Sequence, residues 1–306
     1  MIKIRNLYKS YGPKAAVKGI SFSVEKGEIV GFLGPNGAGK STTMNILTGY
    51  LSSTSGEAEI AGYDVLDQAM EARRHVGYLP EQPPLYLDMT VDEYLNFVYD
   101  LKKAKGSRTK HLREICEKVG LSDVRKRLIK NLSKGYKQRV GIASALVGDP
   151  EVLILDEPTV GLDPNQIGEI RSLIRELGKE KTVILSTHII PEVMAVCERV
   201  VIINDGVIVA DDKLSNLMEG AAGNKLTVSL DCTAAEGKAL LSAVDGVEEV
   251  VRDGDSFIVT ADKDKDVRRS IFFAASEKKI PLVGIHKAEI SLERIFADLT
   301  LKGGRG

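Results

Sequence analysis

Apolar and polar positions alternate at the start of the chain: Ile2 and Ile4, then Ile20, Phe22 and Val24. This period of two predicts half-buried antiparallel strands. Residues 28–33 form a short apolar strand that runs into glycines and then a helix from Lys40 to Thr48, closed by Gly49. Over residues 85–147 the pattern turns helical and more polar, and Thr90 and Glu93 have capping-box spacing. Residues 152–155 are wholly apolar, as expected of a central parallel strand covered on both faces. Asp163-Pro164 reads as an N-cap followed by proline, opening a helix with Ile167, Ile170, Leu173, Ile174 and Leu177 on one face. Residues 182–186 give another buried strand, and residues 200–209 a hairpin turning at Asn204-Asp205-Gly206.

A boundary is expected at residues 220–224. Beyond it come strand 225–230, helix 234–244, strand 247–252, a turn at Asp253-Gly254, strand 256–260, helix 265–279 and strand 282–286. That βαββαβ order predicts a small ferredoxin-like domain, followed by a closing helix at 292–299. The expected organisation is a first domain at 1–220, whose helical subdomain spans 85–147, and an accessory domain at 225–306. A chain of 306 residues can bury two cores.

Charge narrows the function. Lys and Arg number 42 against 43 Asp and Glu, so no nucleic-acid partner held by bulk electrostatics is expected. The basic run Lys102, Lys103, Lys105, Arg108 and Lys110 is read as a solvated helix end, in preference to a lipid or partner contact. The opening residues read straight into a strand, with no secretory signal, and no apolar run approaches the roughly 18–20 residues that cross a bilayer. Cys116, Cys197 and Cys232 are scattered and read as buried thiols of a reducing cytosol. A membrane function would need a partner to supply the membrane part.

The strongest chemical signal is Gly34-Pro-Asn-Gly-Ala-Gly39-Lys40-Ser41, which fits G-x-x-x-x-G-K-S. Its glycines let backbone N–H groups turn around a phosphate, and the following helix aims its positive end at the same anion. Lys40 would reach the β- and γ-phosphates, and the Ser41 hydroxyl would ligate Mg²⁺. A chance glycine-rich turn is the bland reading; the order strand, loop, helix argues against it. Asp156 ends an apolar strand and Glu157 follows, so both acids emerge where open parallel sheets bind ligands. Asp156 would hold Mg²⁺, and Glu157 would act as general base rather than as a mere strand cap. Ser133 is placed as N-cap of a helix running to about Val147, with its hydroxyl and the Gly135 N–H facing outward toward a γ-phosphate carried by another molecule.

The phosphate loop, Leu132-Ser-Lys-Gly-Tyr136, Leu153-Ile-Leu-Asp-Glu-Pro158, Gly161-Leu-Asp-Pro164 and Ser186-Thr-His188 stand in an order and spacing that resembles the ATP-binding-cassette (ABC) family over residues 1–217. The resemblance implies an α/β P-loop nucleotide-binding domain with a mixed sheet, an antiparallel β-subdomain and a helical subdomain. It implies an ATPase using ATP and Mg²⁺ in a head-to-tail homodimer or with a close paralogue. Gly34, Asn36, Gly37, Gly39, Lys40, Ser41 and Thr42 are implied as ATP contacts, with Tyr11 stacked on adenine. Ser133 and Gly135 would act in trans, Asp163 would bridge the subunits, and His188 would sense the γ-phosphate and water. The family's metal- and water-sensing glutamine falls at Glu81 or Gln82, and both stay open. His75, His111 and His286 are read as structural or solvated. The Leu-Ser-Lys-Gly-Tyr variant and the segment Ser291-Leu-Glu-Arg-Ile-Phe296 resemble the drug- and antibiotic-export and gliding-motility branch, which pairs with ABC-2-type permeases on the cytoplasmic face of the membrane. Two other readings are a soluble, non-transport ABC ATPase and a non-catalytic nucleotide module. Residues 225–306 are read as regulatory or dimer-stabilising.

Overall fold

In the computed structural model, which describes residues 1–222, 225–262, 265–288 and 292–302, the alternating start of the chain becomes β1 (Ile2–Tyr11) and β2 (Lys14–Val24), paired antiparallel. β3 (Ile29–Leu33) leads through the glycine loop into α1 (Lys40–Leu47). β4 (Ser55–Ile60), β5 (Tyr63–Asp64), α2 (Ala69–Arg74) and β6 (Val76–Leu79) follow. The polar helical stretch supplies α3 (Val91–Leu101), α4 (Arg108–Lys118) and α5 (Lys134–Leu146). Both halves of the capping box between Thr90 and Glu93 are formed at the start of α3. Next come β7 (Val152–Asp156), α6 (Pro164–Gly178), β8 (Thr182–Thr187), α7 (Ile190–Val196), β9 (Arg199–Asn204), β10 (Val207–Lys213) and α8 (Leu214–Ala222).

Two sheets result, one of order β2-β1-β4-β5 and one of order β10-β9-β3-β8-β7-β6. In the second, β9, β3, β8, β7 and β6 run parallel and β10 is antiparallel at the edge, so the sheet is mixed. β7 and β8 are central, and every residue of both is buried, which is why their sequences carry no alternation. The first sheet packs on the second around Ile2, Leu7, Phe22, Phe32 and Met44, with the Phe22 and Phe32 rings stacked at 5.4 Å. The loops after β3, β6, β7 and β8 all leave the carboxyl edge of the parallel strands, where a ligand belongs.

The basic run is exposed throughout, as expected of a solvated helix end, but three of its charges also make contacts. Lys102 Nζ donates to the carbonyls of Ser144, Ala145 and Val147 at 2.9–3.0 Å, capping the end of α5. Arg108 lies 4.8 Å over the Tyr99 ring and pairs with Asp100, while Lys110 pairs with Glu114. Lys103 and Lys105 are exposed as well. Cys116 and Cys197 are buried as expected, but Cys232 is only half-buried.

The compact unit of these two sheets takes in Met1–Leu214 and, among the described residues, Leu299–Lys302; Ser215–Asp298, which begin with the rest of α8, form another. The second unit contains β11 (Lys225–Leu230), α9 (Ala234–Ser242), β12 (Val247–Asp253), β13 (Ser256–Ala261), α10 (Arg268–Glu277) and β14 (Leu282–Lys287). α11 (Leu292–Lys302) closes the described chain. Its sheet order β12-β13-β11-β14, antiparallel throughout, is the ferredoxin-like arrangement. Val228, Leu241, Val259 and Ile271 are its fully buried centre. α10 starts at Arg268 rather than at 265, because the Asp266 carboxylate accepts the Arg268 N–H and Lys265 is drawn to Asp245. Residues 223, 224 and 291 of the expected boundary and closing segment lie outside the described residues.

Candidate active site

The glycine loop is shaped by space as much as by flexibility. A Cβ on Gly34 would stand 2.3 Å from the Ile203 carbonyl oxygen, and one on Gly39, which has φ +108°, would meet the Ala16 oxygen at 2.6 Å. The loop therefore hugs β2 and β9, and its N–H groups line a concavity at the start of α1. Lys40 points back into this loop: Nζ donates to the carbonyls of Gly34 at 2.8 Å and Pro35 at 3.3 Å, and lies 3.7 Å from Glu157 Oε1. Burial pulls its ammonium below the ordinary lysine pKa, and the carboxylates of Glu157 and Asp156 offset part of that.

At the end of β7, Asp156 Oδ1 accepts the Ser186 hydroxyl at 2.6 Å, and the Ser41 hydroxyl lies close enough to act on this carboxylate. Burial raises the Asp156 pKa, opposed by those two hydroxyls. Glu157 turns the chain sharply, with φ +49°, an uncommon conformation for a residue with a side chain. Its N–H is held by the Ser186 carbonyl at 2.8 Å, and Oε1 lies 2.8 Å from His188 Nδ1. A phosphate loop, a buried lysine, two acids and a histidine thus meet at one sheet edge.

They border a cleft of about 570 Å³, lined by Asn36, Gly37, Gly39, Lys40, Ser41 and Thr42 from the loop, by Glu157 and His188, and by Tyr11 at the end of β1. Tyr11 is 48% exposed, with the Lys9 ammonium over its ring at 5.4 Å from the centroid. After β6, Glu81 and Gln82 are both exposed; Glu81 lines the cleft and its charge acts on Lys40 and Tyr78, and Gln82 does not line it. Lys14, Ala15, Ala16, Val160, Asp205 and Gly206 also line it. The hairpin pair was read only as a turn. Its approach to the site comes from the Gly206 N–H donating to the Ala38 carbonyl at 3.0 Å, a long-range contact with no local signal.

Among the expected residues, Gly34, Gln82, Ser133, Gly135, Asp156 and Asp163 do not line this cleft within one chain. Ser133 is exposed and caps α5, accepting the Tyr136 N–H at 3.4 Å. Asp163 caps α6, accepting the Gln166 N–H at 3.0 Å. Gly135, in the first turn of α5, is buried, and a Cβ there would stand 2.7 Å from the Gln166 side chain of α6.

A family model described as ABC transporter matches residues 17–160. The linearmycin resistance ATP-binding protein of Bacillus subtilis is 36% identical, with 98% of each chain covered. The bacitracin transport ATP-binding protein of Bacillus licheniformis is 41% identical over 67% of each chain. A solved ATP-binding cassette, a dimer in a post-hydrolysis state bound to ADP and phosphate, superposes with a TM-score of 0.64 at 30% identity, covering 70% of this chain and 99% of its own.

Proposed function

Because this chain belongs to the ATP-binding, ATP-hydrolysing subunits of ABC transporters, we propose that two copies close head to tail over ATP and drive a separate ABC-2-type permease from the cytoplasmic face of the membrane. The observation that carries this is the separation of the site into two parts. Loop, acids and histidine converge in one cleft, while Ser133 on α5 is exposed elsewhere on the same chain, free to complete a cleft in another copy. The dimeric form of the solved cassette supports the reading. Among the described residues no helix is long and apolar enough to cross a membrane, so translocation falls to a partner. The resistance and transport roles named for the two relatives support export.

The residues fit Mg²⁺. Ser41 and Asp156 bring hard oxygen donors together, and Asp156 is a buried carboxylate that a cation would neutralise. Among the described residues no cluster of three or more His, Cys, Asp or Glu could hold a metal by itself, so the ion would share its ligands with the triphosphate, as Mg²⁺ commonly does. It would supply charge neutralisation on the phosphates. Lys40 would neutralise the β- and γ-phosphates once they displace its bonds to Gly34 and Pro35. Glu157 would take a proton from water, with His188 orienting its carboxylate. Asp156→Asn is expected to bind fluorescent ATP in EDTA as the parent does, yet gain no affinity and no turnover when Mg²⁺ is added. An unchanged Mg²⁺ response in a titration would remove Asp156 from this role.

For the transport reading, affinity purification of the tagged chain from detergent-solubilised membranes is expected to recover a polytopic membrane protein at comparable stoichiometry. Recovery only in the soluble fraction, with ribosomes or repair factors, would favour a non-transport ATPase.

A further inference from the structure

Glu192, in the first turn of α7, is only 1% exposed. Burying a carboxylate is costly unless its oxygens are hydrogen-bonded, and an apolar side chain would fill the same space without that cost. Both oxygens are bonded here, and both bonds lead toward the cleft. Oε1 accepts the hydroxyl of Thr159, and Oε2 accepts that of Thr187 at 2.9 Å. Thr159 lies two residues after Glu157 on the chain leaving β7, and Thr187 is the last residue of β8, immediately before His188.

The Thr187 hydroxyl has one proton and several neighbours. Its oxygen lies 2.9 Å from Glu192 and 3.3 Å from Glu157 Oε2, and it accepts the Ile189 N–H at 3.1 Å. The nearer carboxylate takes the proton, and the lone pairs hold the chain on the far side of His188. On the other side, the Thr159 carbonyl accepts the Leu162 N–H at 3.1 Å, tying the turn that leads to Asp163. A closed ring results: Glu192 to Thr159, along the chain to Glu157, across to His188 at 2.8 Å, back through Thr187 to Glu192.

We propose that Glu192 is a positioning residue for hydrolysis, clamping the exits of β7 and β8 together through two threonine hydroxyls so that Glu157 and His188 hold one mutual geometry. The inference rests on the reading of Glu157 and His188 as the catalytic pair. Glu192 does not line the cleft; it removes the freedom of the two loops that carry Glu157 and His188 into it.

Glu192→Gln keeps the shape but must turn an amide N–H₂ toward one of two hydroxyls that now donate. Thr187→Val removes the hydroxyl at constant shape, and Thr187→Ser keeps it. In steady-state ATPase assays Glu192→Gln and Thr187→Val are expected to lower kcat roughly 10- to 100-fold with KM for ATP within about threefold, while Thr187→Ser stays near the parent. Because both act on one ring, the double variant should be no worse than the poorer single one. Parental kcat in both Glu192→Gln and Thr187→Val, a KM effect without a kcat effect, or equal loss in Thr187→Ser and Thr187→Val would each overturn the proposal. If Glu192→Gln does not fold, the Thr187 pair decides alone. Glu157→Gln is assayed alongside: its normal turnover would sink the reading of the pair, whereas its inactivity beside an unaffected Glu192→Gln would sink only the clamp.

Discussion

Glu157→Gln is expected to lower ATP turnover by about a hundredfold or more while ATP affinity stays within about threefold. The substitution is nearly isosteric, so the turn at φ +49° and the N–H bond to Ser186 need not change. It removes the negative charge facing Lys40 and the atom that would accept a proton from water. His188 Nδ1 can still bond to the amide oxygen, so the cleft keeps its shape. Binding without chemistry should leave ATP trapped between two copies, so sedimentation should detect a dimer in ATP that the parent forms only transiently. Turnover near the parental value would remove Glu157 from its role, and loss of ATP binding would mean that its charge holds the cleft together.

Ser133→Arg should have an effect of similar size for a different reason. In one chain Ser133 is an exposed N-cap whose bond to Tyr136 is long, so its loss should cost the fold about 1 kcal/mol. It does not line the cleft, so ATP binding to a single subunit should be unchanged. In a head-to-tail pair, however, the arginine would enter the space meant for the partner's γ-phosphate and remove a donor aimed at developing charge. Losses of about a hundredfold or more are expected for such a donor. Intact binding with abolished turnover, in a protein that melts within about 4 °C of its parent, is the signature.

The sequence carried most of what makes the first unit. Wholly apolar runs marked β7 and β8 because those strands are covered on both faces, and Thr90 with Glu93 marked the start of α3 because both partners of that cap are local. Gly34 to Ser41 could be placed because the loop is contiguous, and its geometry follows from missing Cβ atoms. The βαββαβ order of the second unit was equally legible, since alternation and short turns separate its strands. What stayed hidden depends on contacts between distant segments. Whether Glu81 or Gln82 enters the cleft depends on an irregular segment with no period to read. The approach of Gln166 from α6 to Gly135 has no local signal either. The bonds that Lys102 makes were not legible, because the carbonyls it caps lie more than forty positions away. Glu192 sat unremarked in Ile189-Ile-Pro-Glu-Val193, although an acid in so apolar a stretch was the cue.

The claim on which the rest depends is that each ATP lies between the phosphate loop of one copy and the Ser133 helix of its twin. Mixing Lys40→Ala with Ser133→Arg tests it directly, since each variant alone should be inactive. In a mixed head-to-tail pair, one site receives both lesions and the other receives neither. ATPase activity should therefore appear on mixing, rise to a maximum near equal amounts, and fall away on dilution. If every mixture stays as inactive as its components while both variants fold and associate, Ser133 serves its own chain, and the head-to-tail account is wrong.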